Sequence, residues 1–105
     1  MKALLSVTCC LLLAAAVPAV AGDAAAGKEK STTCAACHGP DGNSTAPDFP
    51  RLAGQHYDYL VRAIGEYKAG VRKNAIMMPM VEKLTRRDVE DLAAYFSQQK
   101  GLATK

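Results

Sequence analysis

Little in this chain favours a metal centre built from its own side chains. Only two of its 105 residues are histidine, and two of its four cysteines, Cys9 and Cys10, sit in an apolar N-terminal stretch. A zinc site around Cys34 and Cys37 would need two further ligands, and beyond His38 the remaining chain offers only His56. A strong charge bias is also missing. Thirteen basic against ten acidic residues give a net charge of +3, too mild to argue for nucleic acid. No stretch alternates apolar and polar residues well enough for a strand, which points to an all-α fold. The longest apolar run, Ala3 to Val17, falls short of the ~20 residues that cross a bilayer.

That run has the makeup of a secretory leader. Met1-Lys2 is a short positive start, and Ala19-Val20-Ala21 fits an A-x-A cleavage site. The division expected is a signal peptide over residues 1–21 and one small domain over 22–105, exported to the periplasm. Alternatives are an uncleaved membrane anchor or a lipid-anchored cysteine. Cleavage removes only Lys2 among the charged side chains, so the remainder stays mildly basic.

The stretch around which the rest is organised is Cys34-Ala35-Ala36-Cys37-His38, the C-x-x-C-H attachment sequence for c-type haem. Two thiols at this spacing reach the two vinyl groups of one porphyrin, and the histidine that follows supplies an axial nitrogen to the iron. A disulfide-exchange pair needs C-x-x-C without the adjacent histidine, usually in a βαβ setting. A domain this small has a marginal core, and a large apolar cofactor would complete it. The haem-free chain is therefore expected to fold poorly.

Asp23 is a good N-cap, and the alanines behind it predict a first helix from Ala24 to about Thr32. Gly27 inside it is either tolerated or marks close packing. Gly39 to Gly54 is rich in turn residues, with Pro47 and Pro50 disfavouring helix. Phe49 and Leu52 are its apolar residues, suited to a porphyrin face or to ordinary packing. Leu60, Ala63, Ile64 and Tyr67 recur at helical spacing and predict a helix from His56 to Lys68, capped by Gly70. Val71 to Lys83 holds Met77, Met78 and Met80 around Pro79 and reads as a loop or broken turn. Thr85, with Asp88 at the third helical position, opens a last helix whose stripe is Val89, Leu92, Ala93 and Phe96, ending at Gly101.

A haem iron held by one histidine has a sixth position, either open or filled. A methionine thioether there raises the potential. Met77, Met78 and Met80 are candidates, and His56 is the rival. The bland alternative makes all three methionines gap-fillers.

The mature stretch resembles a class I c-type cytochrome, most closely the bacterial periplasmic single-haem members and the single-haem halves of the two-haem ones. The likeness is carried by Gly22-Asp23-Ala24-Ala25-Ala26-Gly27, then Cys34-Ala35-Ala36-Cys37-His38-Gly39 and Asp41-Gly42-Asn43. It continues through Pro47-Asp48-Phe49-Pro50-Arg51-Leu52-Ala53-Gly54-Gln55 and Met77-Met78-Pro79-Met80, and closes with Leu84-Thr85 and Asp91-Leu92-Ala93-Ala94-Tyr95-Phe96. The resemblance implies three or four helices around one covalently bound haem, with the first and last crossing, so that Gly27 meets Tyr95 and Phe96. It implies Met77 as the axial methionine and Pro47 as the proline whose carbonyl holds the axial histidine. Arg51 and Arg72 are candidates for the haem propionates or ordinary surface charges.

The function expected on this basis is one-electron transfer, not catalysis, with redox proteins docking transiently and no nucleic acid or membrane span after cleavage. Arg72, Lys73 and Lys83 flank the methionines and could steer an acidic partner or be ordinary solvated charges. The alternatives are a haem subunit of a larger redox complex, and a sensor or enzyme with a labile sixth ligand. The latter would need distal acid–base groups, and no recognisable motif pairs His56 with an arginine.

Overall fold

The computed structural model describes residues 22–102; the expected leader over residues 1–21, with Cys9 and Cys10, lies outside the described residues. Five helices follow one another: α1 Ala24–Lys30, α2 Thr32–His38, α3 Tyr57–Lys68, α4 Met77–Val81 and α5 Arg86–Ser97. No strand occurs among the described residues.

α5 is the centre of the fold. Thr85 accepts from the Asp88 amide and Asp88 accepts from the Thr85 amide, the reciprocal cap expected there. Asp91 through Phe96 are all buried, so the helix is covered on every side rather than along one stripe. α1 packs on one side of it and α3 on another, and α4 packs on α3. Leu60 of α3 joins Leu92, Ala93, Tyr95 and Phe96 in the core cluster.

The α1–α5 crossing depends on Gly27. A Cβ there would lie 2.6 Å from the Asp91 carbonyl carbon and 2.8 Å from Tyr95 Cβ, so only glycine lets the helices approach this closely. The expected aromatic pair divides at this point. Tyr95 meets Gly27, whereas Phe96 turns toward Gly42, where a Cβ would be 2.8 Å from its ring.

Three boundaries differ from those predicted. The first helix does not run on through Thr32. The Ser31 hydroxyl donates to the Lys28 carbonyl at 2.7 Å, competing with the helical ladder. A break follows, and α2 restarts to carry the whole pentapeptide. The methionine segment holds a short helix rather than a loop. Asn74 Oδ1 accepts from the Ile76 and Met77 amides, and Pro79 is the third residue, where an amide has no intrahelical acceptor. The last helix stops at Ser97 rather than Gly101. The residues after it fold back, and the Leu102 amide donates to the Ala53 carbonyl at 2.9 Å.

A buried acid joins α1 to α5. Asp91 is 1% exposed and accepts from the Asp23 amide at 2.8 Å and from Lys30 Nζ at 2.6 Å. Lys30 also reaches Asp88 at 2.8 Å.

Candidate functional site

α2 places Cys34 and Cys37 one turn apart on the same side of a helix, both half-buried and both free thiols. Cys34 packs against the core cluster beside Leu52, and burial pushes its thiol above the usual range. A thiol made more acidic is what disulfide exchange would use, so this environment does not suit a redox dithiol.

His38 is the last residue of α2 and is 6% exposed. Its Nδ1 lies 2.7 Å from the Pro50 carbonyl. A carbonyl only accepts, so Nδ1 carries the hydrogen and Nε2 is left with its lone pair. The proline expected in this role was Pro47. That residue occupies a tight turn closed by the Phe49 amide on the Ala46 carbonyl, and the turn sends the chain back so that Pro50 reaches the ring.

The segment bearing Pro50 is tied down at several points. The Leu52 and Ala53 amides donate to the Gly42 carbonyl, and the Gly54 amide donates to the Phe96 carbonyl. Tyr95 Oη donates to the Pro40 carbonyl at 2.7 Å, and Asn43 Nδ2 donates to the Lys100 carbonyl at 2.9 Å. Residues 44–47 and 49–51 line an open groove of about 320 Å³, with half-buried Phe49 on its wall and Arg51 exposed at its rim.

Of the three methionines, Met77 is half-buried, while Met78 and Met80 are 36% and 43% exposed. Val71 and Ile76 are also exposed, so residues 71–80 present an unusual density of outward apolar side chains. His56 is exposed at the start of α3. Arg72 donates to Tyr59 Oη at 3.2 Å and stacks 4.9 Å from the Tyr67 ring centre, a use of that side chain with no local signal in the sequence.

The donor set fits a haem. Two free thiols lie on one helical side, the adjacent imidazole has its outer nitrogen anchored, and soft sulfur and apolar side chains stand in a separate segment. It does not fit a bare ion. Among the described residues, no three His, Cys, Asp or Glu side chains are grouped to hold one.

Comparison with known proteins agrees with this geometry. Residues 24–100 match the family model for cytochrome c. Cytochrome c-554(548) of Halomonas halodenitrificans is 50% identical over 82 residues, which cover 75% of this chain and 99% of that protein. Reduced recombinant cytochrome c4 from Pseudomonas stutzeri has a similar structure, with a TM-score of 0.75 at 49% identity, over 78% of this chain and 48% of that one. Thiosulfate dehydrogenase from Marichromatium purpuratum is similar at 34% identity with a TM-score of 0.70, over 74% of this chain but 19% of that one. The chain spans less than half the length of the cytochrome c4 relatives it matches, 42% for that of Azotobacter vinelandii. Among the described residues no helix is long and apolar enough to cross a membrane. With the attachment motif on α2, the anchored imidazole and a helical fold shared at about half identity, the chain belongs to the cytochrome c family, whose cofactor is covalently bound haem c.

Proposed function

We propose that this chain is a periplasmic one-electron carrier, with haem c attached through Cys34 and Cys37 and the iron held between His38 Nε2 and the Met77 sulfur. When bound, the haem supplies the reversible Fe(III)/Fe(II) couple. The chain's residues supply the setting. The Pro50 carbonyl fixes the tautomer and tilt of the His38 ring, and keeps electron density on the nitrogen facing the iron. The Met77 thioether, a soft donor, favours Fe(II) and so raises the potential. Phe49 and Leu52 offer apolar contact that keeps water back.

In this reading no substrate bond is made or broken. Partners dock through small, transient contacts near the methionine segment. Lys73 and Lys83 are exposed there and would speed encounter with an acidic surface in a salt-dependent way. Residues 1–21 would be removed on export.

The observation that carries the reading is the 2.7 Å contact from His38 Nδ1 to the Pro50 carbonyl, immediately beyond two free thiols on one helix. The test is to express the full chain in cells that mature cytochromes. Mass spectrometry should find one haem attached, the oxidised protein should show the methionine-to-Fe(III) charge-transfer band, and the reduced protein should bind carbon monoxide slowly. Rapid carbon monoxide binding with no such band would favour a sensor or enzyme with a labile ligand.

A second reading, a haem subunit of a larger redox assembly, is supported by the likeness to a minor part of the thiosulfate dehydrogenase chain. Gel filtration and co-purification of the native protein distinguish the two.

A further inference from the structure

Residues 71–76 join α3 to α4, and all but one of their side chains are exposed. The exception is Arg72. Its Nη1 donates to Tyr59 Oη at 3.2 Å, and its guanidinium lies 4.9 Å from the Tyr67 ring centre. Both tyrosines belong to α3. Arg62 stacks on Tyr59 in turn, at 5.6 Å, and pairs with Glu66 at 3.7 Å. The Val71 and Arg72 amides both donate to the Glu66 carbonyl, at 3.0 and 3.1 Å. Arg72 is therefore held to α3 by its backbone and by two contacts of its guanidinium.

Two residues later comes a second fixed point. Asn74 Oδ1 accepts from the Ile76 and Met77 amides, and the Asn74 carbonyl accepts from the Met78 amide at 3.1 Å. Only Lys73 separates the two fixed points. Met77 thus hangs from α3 through a short tether made firm at Arg72 and Asn74, although most of its side chains find no cover.

We infer that Arg72 is a positioning residue for the sixth iron ligand: by stacking on Tyr67 and bonding Tyr59 it clamps the 71–77 tether to α3 and holds the Met77 sulfur in place. The inference rests on the proposed assignment of Met77 as the ligand. It requires the flat guanidinium, which can stack and donate at once, rather than positive charge as such.

Imidazole, added to the oxidised holoprotein, competes with Met77 for the iron and reports how firmly the sulfur is held. Loss of the stack and the hydrogen bond in Arg72→Leu should raise imidazole affinity about tenfold. Arg72→Lys keeps the charge and should behave much like Arg72→Leu. Tyr59→Phe removes one hydroxyl, should fold normally, and should give a smaller rise of about threefold. A merely structural role would lower the unfolding midpoint of these variants without moving imidazole affinity, and that result overturns the clamp. So does an Arg72→Lys protein that behaves as wild type, which would mean the charge matters and not the stacking. Met77→Ala separates the two levels. If it leaves the charge-transfer band in place, the ligand assignment fails and the clamp with it. If it abolishes the band while imidazole affinity in the Arg72 and Tyr59 variants is unchanged, only the clamp fails.

Discussion

The α1–α5 crossing and the segment between α3 and α5 are built on opposite plans. At the crossing, backbone meets backbone at Gly27, a nearly inaccessible carboxylate is satisfied by an amide and an ammonium, and Asp91 through Phe96 are covered on all sides. Across residues 71–80, Val71 is 75% exposed, Ile76 59% and Met80 43%, and the backbone is held by two anchor residues. In the first region the buried polar groups find their partners within the chain. The second presents apolar and sulfur-bearing side chains outward, as suits contact with a porphyrin and with partner proteins. A small redox domain can thus separate a stiff half, which keeps its shape, from a half whose chemistry faces outward.

The comparison breaks most severely if the stiff half needs nothing else. The holoprotein should unfold cooperatively, and the haem-free chain should show no cooperative thermal transition by circular dichroism. A sharp transition in haem-free protein would make the crossing self-sufficient.

Next in size is Gly27→Val, which drives a branched side chain into the Asp91 backbone and Tyr95 Cβ. Overpacking against backbone that cannot yield should cost about 3 kcal/mol in urea unfolding of the holoprotein.

The carboxylates at the crossing make it acid-sensitive. Lys30, and after it the Thr85 amide, hold Asp88 down from 3.8 to about 2, and Lys30 followed by the Asp23 amide lowers Asp91 in the same direction. Their folded values lie below their unfolded ones. Their contribution is therefore present above the ordinary carboxylate value of 3.8 and drains away as pH falls through the lowered values, about 2 for Asp88. Asp91→Asn should lower the thermal midpoint at neutral pH and flatten its decline over that acid range. Lys30 is shifted upward by the same partners, chiefly Asp88, so its share is lost only above its ordinary value of 10.5.

Tyr95→Phe removes the hydroxyl that donates to the Pro40 carbonyl and should cost about 1 kcal/mol. The smallest effect belongs to the outward segment. Met78→Ala and Met80→Ala, at exposed positions, should each change stability by no more than about 0.5 kcal/mol and leave the charge-transfer band intact.

What the sequence made legible was mostly local. The Thr85–Asp88 cap, the body of α3 and the residue after its end, Gly70 at φ +72°, each depend on neighbours a few positions away. The attachment motif is equally short-ranged, and the close approach at Gly27 was visible because a glycine among alanines needs a reason. The differences arise where partners are distant in the chain or where one side chain chooses among nearby backbone groups, as Asn74 does in taking the Ile76 and Met77 amides at the start of α4. Nothing near Pro47 or Pro50 says which carbonyl will face a ring twelve residues earlier; the turn at Ala46 to Phe49 decides it. Asp91 gains its partners only when α1 brings Lys30 and the Asp23 amide to it, which no neighbouring residue signals. Ser31 interrupts α1 because its hydroxyl finds the Lys28 carbonyl, which propensity alone does not signal.

The turn that follows α5 carries a consequence for anyone who would trim or tag this protein. The Lys100 carbonyl receives Asn43, and the Leu102 amide grips Ala53, so residues 98–102 buttress the same strap that carries Pro50. Deleting that buttress would be felt at the imidazole, some sixty positions upstream, as a loosened grip of the Pro50 carbonyl on the His38 ring.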